Sequence, residues 1–164
     1  MNRLGNQVEW ALHSATTLAA LPMGKRLSAG ALAELYEVPP KYLAKALQAL
    51  AGAGLITSTP GPRGGYALAK SASSIRLIDV VDAVEGGEKL FRCQEIRRRG
   101  PCRKVPGKMF SKTCQLADAM WRAELAWRKE LESVTLKEMV DSVVRDVPHV
   151  ILNVVGKWVE ERVT

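Results

Sequence analysis

Five side chains in this sequence stand out as candidate metal ligands, and they occur in two separate groups. Glu9 and His13 stand four positions apart near the N-terminus, whereas Cys93, Cys102 and Cys114 follow in the second half of the chain. Positions i and i+4 of a helix share a face, so Glu9 and His13 can converge on one metal centre. Iron–sulfur clusters are held by thiolates, and other ligands can replace two of them on one iron. The combination favours a site that responds to a metal or to redox state.

The same residues also have ordinary structural interpretations, which the sequence leaves open. His13 can be a hydrogen-bonded residue on a buried helix face, and Glu9 can be a surface carboxylate. We interpret Cys102 as a plain loop thiol; the alternative is a third thiolate that replaces Glu9 or His13. Zinc accepts the same ligand types as iron. An enzyme is disfavoured, because the chain has two histidines and pairs no nucleophile with a base.

Length, composition and charge limit the class of protein further. The chain has 164 residues, of which 47% are hydrophobic, enough for one or two small domains with a core. Its formal net charge of +7 favours a polyanionic partner such as nucleic acid. No apolar run reaches the roughly 18 residues of a membrane span, and the N-terminus lacks the apolar segment of a signal peptide. We therefore expect a cytoplasmic protein without a disulfide framework.

Three helices are expected in the first third of the chain. Apolar spacing predicts a helix over 6–20, which carries both Glu9 and His13. Ser28 is a predicted N-cap for a helix over 29–36, and Pro39-Pro40 begins the next one. Apolar residues in that helix recur at spacings of three and four: Leu43, Ala46, Leu47 and Leu50. Because only Glu37-Val38-Pro39 separates the last two helices, they fit a helix-turn-helix.

A small β-hairpin is expected directly after these helices. Ile56–Thr59 and Tyr66–Leu68 suit two strands, and Gly64-Gly65 is expected to supply the positive φ of the turn. A further helix is expected over 74–85. Two helices followed by a hairpin form a winged helix-turn-helix, so residues 1–86 are predicted to be a DNA-binding domain and double-stranded DNA its partner.

Six residues of this domain are candidates for contacts with DNA: Arg26, Ser28, Lys41, Tyr42, Lys45 and Arg63. Lys41 and Lys45 lie one turn apart, opposite the apolar stripe, near the start of the helix that would enter the major groove. Arg26 and Ser28 can hold a phosphate, and Arg63 in the hairpin turn can reach the minor groove. The alternative is that the two lysines are ordinary solvated side chains and that Tyr42 belongs to the core.

The second half of the chain is expected to form a loop, a long helix and a tail. Residues 87–113 are basic and lack apolar periodicity, whereas 114–134 has a coiled-coil-like spacing of apolar residues: Leu116, Met120, Ala123, Trp127, Leu131 and Val134. A second copy of the chain is the expected partner of this helix, and Cys114 at its start has a thiolate favoured by the helix dipole. Residues 149–160 are expected to pack back on the dimer. The fold class is mainly α with a small β-hairpin wing and a long dimerisation helix within 114–164.

Three segments of the chain resemble the Rrf-type winged-helix transcription regulators. They are Tyr42-Leu43 through Ile56, Gly61-Pro62-Arg63-Gly64-Gly65-Tyr66-Ala67-Leu68, and Ile75 through Gly86. The resemblance covers roughly residues 4–145 and implies a homodimer with a long crossing helix that reads an operator of two half-sites. One departure from the family is Pro60, which stands where relatives often carry a basic residue of the wing.

Within that family, the closest resemblance is to the iron–sulfur redox regulators of the RsrR type. It rests on Val8-Glu9-Trp10-Ala11-Leu12-His13 and on Cys93-Gln94-Glu95-Ile96-Arg97. It implies a [2Fe–2S] cluster held by Glu9 and His13 of one subunit and by Cys93 and Cys114 of the other, with 87–113 as the cluster-binding loop. The expected function is a homodimeric DNA-binding regulator that senses redox state. The alternative is a cluster-free regulator controlled by thiol oxidation or by a partner protein.

Overall fold

The structure is a computed structural model that describes residues 5–164, so the first four residues of the predicted DNA-binding domain lie outside the described residues. The helices of this range are α1 (Asn6–Ala20), α2 (Ala29–Leu35), α3 (Pro40–Gly52), α4 (Leu77–Glu85), α5 (Gln115–Ser133), α6 (Leu136–Asp146) and α7 (His149–Glu160), and the strands are β1 (Ile56–Thr59) and β2 (Gly65–Leu68). The predicted fold class, mainly α with a small hairpin, is confirmed. Within residues 5–164, no helix has the length and apolar character needed to cross a membrane.

The helix-turn-helix forms where the sequence predicts it. The Ser28 hydroxyl accepts a hydrogen bond from the Ala31 N–H at 3.0 Å and so caps α2. Pro40 begins α3, a position where the missing proline N–H costs no helical hydrogen bond. Between the two helices, Glu37 adopts a left-handed φ of +49°, which turns the chain sharply. The predicted apolar stripe of α3 is fully buried: Leu43, Ala46, Leu47 and Leu50.

The two strands and their five-residue turn form the wing, in which Ile56 pairs with Leu68 and Thr59 pairs with Gly65. The predicted positive φ is found at Gly65, with a φ of +146°, but not at Gly64. A Cβ at Gly64 would overlap the carbonyl oxygen of Thr59, so Gly64 is needed for close backbone approach. The second positive φ of the turn belongs to Gly61 instead, at +103°.

Replacing Gly64 by alanine is therefore expected to destabilise the wing. The added Cβ forces the turn to move away from Thr59, which should lower the free energy of unfolding by about 1–3 kcal/mol. Gly52→Ala is the matched control, because a Cβ there meets no atom and alanine suits the end of α3. Chemical denaturation measures both, and equal stability of the two variants would contradict the role given to Gly64.

The start of α4 differs from the prediction. The apolar pattern placed the helix over 74–85, but Ile75 is extended and α4 begins at Leu77. The Leu136 N–H donates to the Ile75 carbonyl at 2.9 Å, and the Leu77 N–H donates to the Val134 carbonyl at 2.9 Å. The segment before α4 thus pairs with the segment before α6, and this long-range pairing replaces a first helical turn. Ile75 stays buried and helps to join the two halves of the chain.

The longest helix of the described range is α5, as predicted, and it packs mainly against α4. A bidentate ion pair from the Arg128 guanidinium to the Asp82 carboxylate connects the two helices. Ala117 is the one residue of α5 that is buried, whereas Leu116 and Met120 of the predicted seam remain 75% and 42% exposed. The first half of the predicted seam therefore has little cover from the described part of its own chain, whereas Trp127, Leu131 and Val134 are half-buried.

The end of the tail packs on the DNA-binding domain of its own chain. Trp158, within the segment predicted to pack back on the dimer, and Val163 after it contact the core of their own chain. Packing of the segment on a dimer stays a prediction. The backbones of Arg26 and Thr164 exchange two hydrogen bonds of 3.0 and 3.1 Å, next to the bridge between Leu27 and Tyr66 of the wing. Thr164 thus adds backbone hydrogen bonds beside the segment that pairs with β2.

Candidate functional site

The exposed face of α3 carries the three candidate DNA contacts predicted for it. Lys41, Tyr42 and Lys45 are exposed, opposite the buried leucine stripe. The Lys45 ammonium lies 6.0 Å from the centroid of the Tyr42 ring. Tyr42 is 53% exposed, so its ring does not belong to the core, although one side of it contacts Trp10 of α1. The face is cationic and aromatic, which suits contacts with phosphates and bases.

The remaining candidate DNA contacts lie at the start of α2 and in the wing. The Ser28 oxygen is already an acceptor in the helix cap, which leaves its hydroxyl proton for a phosphate oxygen. The Arg26 guanidinium donates to the Thr57 hydroxyl at 3.4 Å and so lies beside β1 at the base of the wing. Arg63 is exposed in the turn between the strands. Arg26, Arg63 and the two lysines of α3 are the basic members of the candidate set in the winged domain.

The first pair of candidate metal ligands, Glu9 and His13, is exposed on α1 and lies one helical turn apart. The His13 ring centroid is 5.3 Å from that of Tyr36, and the Tyr36 hydroxyl donates to the His13 carbonyl at 3.2 Å. Trp10, between the two candidate ligands, has its ring centroid 6.4 Å from that of Tyr42. The helix that carries this pair therefore contacts both the turn of the helix-turn-helix and the exposed face of α3.

The second pair of candidate ligands begins with Cys114, which is the N-cap of α5. The pKa of the Cys114 thiol lies below its ordinary value, chiefly because the Ala117 N–H donates to its sulfur. The Leu116 N–H and the positive charge of Arg97 lower the pKa further. A thiol with a lowered pKa supplies the thiolate that a metal centre needs. The prediction that the start of this helix favours the thiolate agrees with these contacts.

Arg97 connects Cys114 to Cys93. Its guanidinium carries a raised pKa because it donates to the Glu95 carboxylate, and the negative charges of Cys114 and Cys93 both act on it in the same direction. The Glu95 N–H donates to the Cys93 sulfur at 3.4 Å. Cys102 lies on a separate turn, Gly100–Lys104. Arg97 also donates to the Lys112 carbonyl at 3.0 Å, so it connects the segment after Cys93 with the segment that leads into Cys114.

The candidate ligands of one chain do not form a complete site for a [2Fe–2S] cluster; they form two separate pairs. Among residues 5–164 of one chain, no three side chains of histidine, cysteine, aspartate or glutamate are grouped closely enough to hold a metal ion. Two thiols lie in the loop and at the start of α5, and a carboxylate and an imidazole lie on α1. Two thiolates, one carboxylate and one neutral imidazole would give a diferric cluster a formal charge of about −1, which neighbouring arginines can compensate. The chemistry of the set fits a cluster shared by two chains.

The sequence gives no role to three neighbours of the candidate ligands, Trp10, Tyr36 and Glu95, and it gives Arg97 only a general one, as one of several basic residues that can compensate the cluster charge. Trp10 contacts Tyr42 on α3, and Tyr36 contacts His13 on α1. Glu95 contacts the Cys93 sulfur and is paired with Arg97. Cys93, Glu95 and Arg97 follow one another at every second position of the loop, and this spacing could have indicated that they lie together. The nine basic residues of 88–113 make Arg97 difficult to distinguish from its neighbours. The two aromatic contacts depend on how α1 packs, which the sequence does not display.

Comparison with known proteins assigns this chain to one family. The family model of Rrf2, described as an iron-dependent transcriptional regulator, matches residues 4–142. The chain is 30% identical over 159 residues to the HTH-type transcriptional regulator YffB of Lactococcus lactis, covering 97% of this chain and 98% of the relative. This result agrees with the interpretation that the chain is not an enzyme.

Two solved structures share the fold. CymR, the global cysteine regulator of Bacillus subtilis, has a TM-score of 0.65 at 22% identity, with 86% of this chain and 98% of CymR covered. IscR of T. potens has a TM-score of 0.64 at 20% identity, with 87% and 88% covered. These two structures support the winged-helix fold. The family model and the relative from Lactococcus lactis show the family. The chain therefore belongs to the Rrf2 family of transcriptional regulators.

Proposed function

We propose that this regulator is a homodimer that binds an operator of two half-sites and senses redox state through a [2Fe–2S] cluster. The observation that carries the proposal is the link that Arg97 makes between the two cysteine segments: it donates to the Glu95 carboxylate beside Cys93 and to the Lys112 carbonyl two residues before Cys114. The lowered pKa of the Cys114 thiol, caused chiefly by the Ala117 N–H, supports it. The description of the family as iron-dependent supports the choice of iron over zinc. Within the family, the chain is proposed to be closest to regulators of the RsrR type.

The dimer is proposed to form through α5. Leu116 and Met120 are exposed on one face of this helix, and an exposed apolar face calls for a partner. In this arrangement, residues 1–86 form the DNA-binding domain, 87–113 the cluster-binding loop and 114–164 the dimerisation helix with the tail. Two winged domains related by a two-fold axis would read half-sites about 34–36 Å apart.

The proposed ligands are Glu9 and His13 of one subunit and Cys93 and Cys114 of the other. The cluster, when bound, supplies one-electron redox chemistry. The chain provides two thiolates from the loop and from the N-terminus of α5, and it provides oxygen and nitrogen donors from α1. Cys102 is proposed to remain a loop thiol. A site built this way would tie α1 of one subunit to α5 of the other.

A change at this site can reach the DNA-binding surface through α1. His13 contacts Tyr36 in the turn of the helix-turn-helix, and Trp10 contacts Tyr42 on the exposed face of α3. A small rotation of α1 would therefore move Tyr42 relative to the major groove of the bound DNA. We propose that the redox state of the cluster changes DNA affinity by this route.

Replacing Trp10 by alanine is expected to weaken this coupling. The variant loses the contact with Tyr42, so its affinities for DNA in the oxidised and reduced states should differ by less than about twofold, whatever the wild-type ratio. Trp158→Ala is the matched control, because it removes a half-buried tryptophan from the tail and should leave the ratio unchanged. Fluorescence anisotropy under anaerobic conditions measures both states, and a wild-type ratio in the Trp10 variant would contradict the route.

The proposed function is tested by measuring DNA affinity in three states of the same preparation. Duplexes selected by the protein from a random library serve as the probe, and the protein is used oxidised, reduced with dithionite, and stripped of iron. The proposal expects at least a tenfold difference in affinity between two of these states. Equal affinities in all three states would contradict the proposal that the protein senses redox state, but they would not contradict its role as a DNA-binding regulator.

The second candidate function is a cluster-free thiol switch. The lowered pKa of Cys114 favours it, because a thiolate is also the reactive form for oxidation. In that case the purified protein is colourless, and peroxide rather than dithionite changes its DNA affinity. Reversal of that change by a thiol reductant would identify this mechanism.

A further inference from the structure

We infer that Arg97 is a positioning residue that holds the two cysteines in place and sets the reduction potential of the metal centre through its charge. The inference rests on the proposed function and adds to it a residue that is not a ligand. Arg97 makes more specific contacts than any other basic side chain described in the loop over 87–113, and each contact points to one of these two roles.

The first role follows from the hydrogen bonds of the guanidinium. The Arg97 Nε and Nη2 atoms donate to the two Glu95 carboxylate oxygens at 2.5 and 2.8 Å, and Nη2 also donates to the Lys112 carbonyl at 3.0 Å. The guanidinium lies 5.8 Å from the centroid of the Phe110 ring. Arg97 thus connects the segment after Cys93 with the segment that leads into Cys114.

The backbone next to Cys93 depends on this ion pair. Glu95 has a left-handed φ of +48°, a conformation that persists in a non-glycine residue only when its surroundings hold it. Its carboxylate is fixed by Arg97, and its N–H donates to the Cys93 sulfur. The ion pair therefore orients the N–H group that contacts the thiol, and its loss should release Cys93.

The second role follows from burial and charge. The Arg97 side chain is 27% exposed, whereas that of Arg92, paired with Glu88, is 69% exposed. A partly buried charge is screened less by water and salt than an exposed one. The Arg97 guanidinium donates to the Lys112 carbonyl, two residues before Cys114, and to the Glu95 carboxylate, whose own N–H contacts the Cys93 sulfur, so both charges lie beside the proposed cluster site. Because reduction adds an electron to a site near this charge, Arg97 should favour the reduced state and Glu95 the oxidised state.

The test measures the midpoint potential of the anaerobically purified dimer for Arg97→Gln and Glu95→Gln. Arg97→Gln should lower the ratio of reduced to oxidised cluster at a fixed potential by about fivefold, the size of a single-charge effect in a high dielectric. Glu95→Gln should shift the ratio the other way. Both variants break the same ion pair, so a purely structural role would move the potential in the same direction. Opposite shifts support the inference.

Two further variants make the result specific. Arg97→Lys keeps the charge and should restore the potential to within about twofold of wild type in the same ratio. Arg99→Gln removes an exposed charge that contacts Gln94 and should shift the ratio less than twofold. Equal shifts for Arg97→Gln and Arg99→Gln, or shifts of one sign for the Arg97 and Glu95 variants, overturn the inference alone. A wild-type protein without a cluster overturns both the inference and the proposed function.

Discussion

Cys114→Ser is expected to remove the cluster completely, whereas Cys102→Ser is expected to retain it. Cys114 is the thiol that the N-terminus of α5 and Arg97 stabilise as a thiolate, so serine there leaves three of four ligands and a weak oxygen donor. Cys102 lies on its own turn, outside the proposed set. Iron and acid-labile sulfide should fall from about two of each per site to less than a tenth of that in the first variant. Visible absorption and metal analysis measure the difference.

The same variant also tests whether the site is shared by two subunits. A chain with Cys114→Ser and a chain with His13→Ala are each expected to be colourless alone. In their heterodimer, one of the two sites has all four intact ligands, so about half of the wild-type cluster content should return. Colourless heterodimers would contradict the shared site. If the cluster persists in Cys114→Ser and is lost in Cys102→Ser, then Cys102 is the ligand and Cys114 is not.

Lys41→Ala combined with Lys45→Ala is expected to lower DNA affinity by about a hundredfold at physiological salt. Both ammonium groups are exposed on the face of α3 that carries Tyr42, and each is expected to contribute about tenfold through a base or phosphate contact. The salt dependence distinguishes the two kinds of contact. Each lost phosphate contact reduces the slope of log affinity against log salt by about 0.9. A lost base contact instead relaxes the preference at one position of the operator.

Lys129→Ala is the matched control for these lysines. It removes the same charge from an exposed position, but on α5 rather than on α3. The control should change affinity by less than about threefold, through net charge alone. Equal losses for Lys129 and for either lysine of α3 would show that the protein binds DNA by general electrostatic attraction. The placement of α3 in the groove would then be wrong.

The helix-turn-helix could be predicted closely because its signals are local. Ser28 caps one helix, Pro40 begins the next, and the apolar spacing of α3 reports one buried face. The start of α4 could not be predicted in the same way. Ile75 fits a helical pattern in the sequence, but its backbone pairs with the distant Val134–Leu136 segment. Gly64 shows a similar limit, since glycine at close backbone approach and glycine at positive φ look the same in a sequence.

The candidate site could be predicted in its ligand types but not in its surroundings. The four-residue spacing of Glu9 and His13 is local, and α1 displays both on its surface. The role of Arg97 depends on a loop fold that brings the segment after Cys93 against the segment before Cys114, across about 20 residues without regular periodicity. The contact between Trp10 and Tyr42 likewise depends on how α1 packs against α3.

The central claim is that this regulator holds a [2Fe–2S] cluster. The most direct measurement is the visible absorption of protein purified without oxygen, with iron and acid-labile sulfide assayed on the same sample. The account predicts a red-brown protein with about two irons and two sulfides per site. A colourless protein that stays free of iron after reconstitution with iron and sulfide would contradict it.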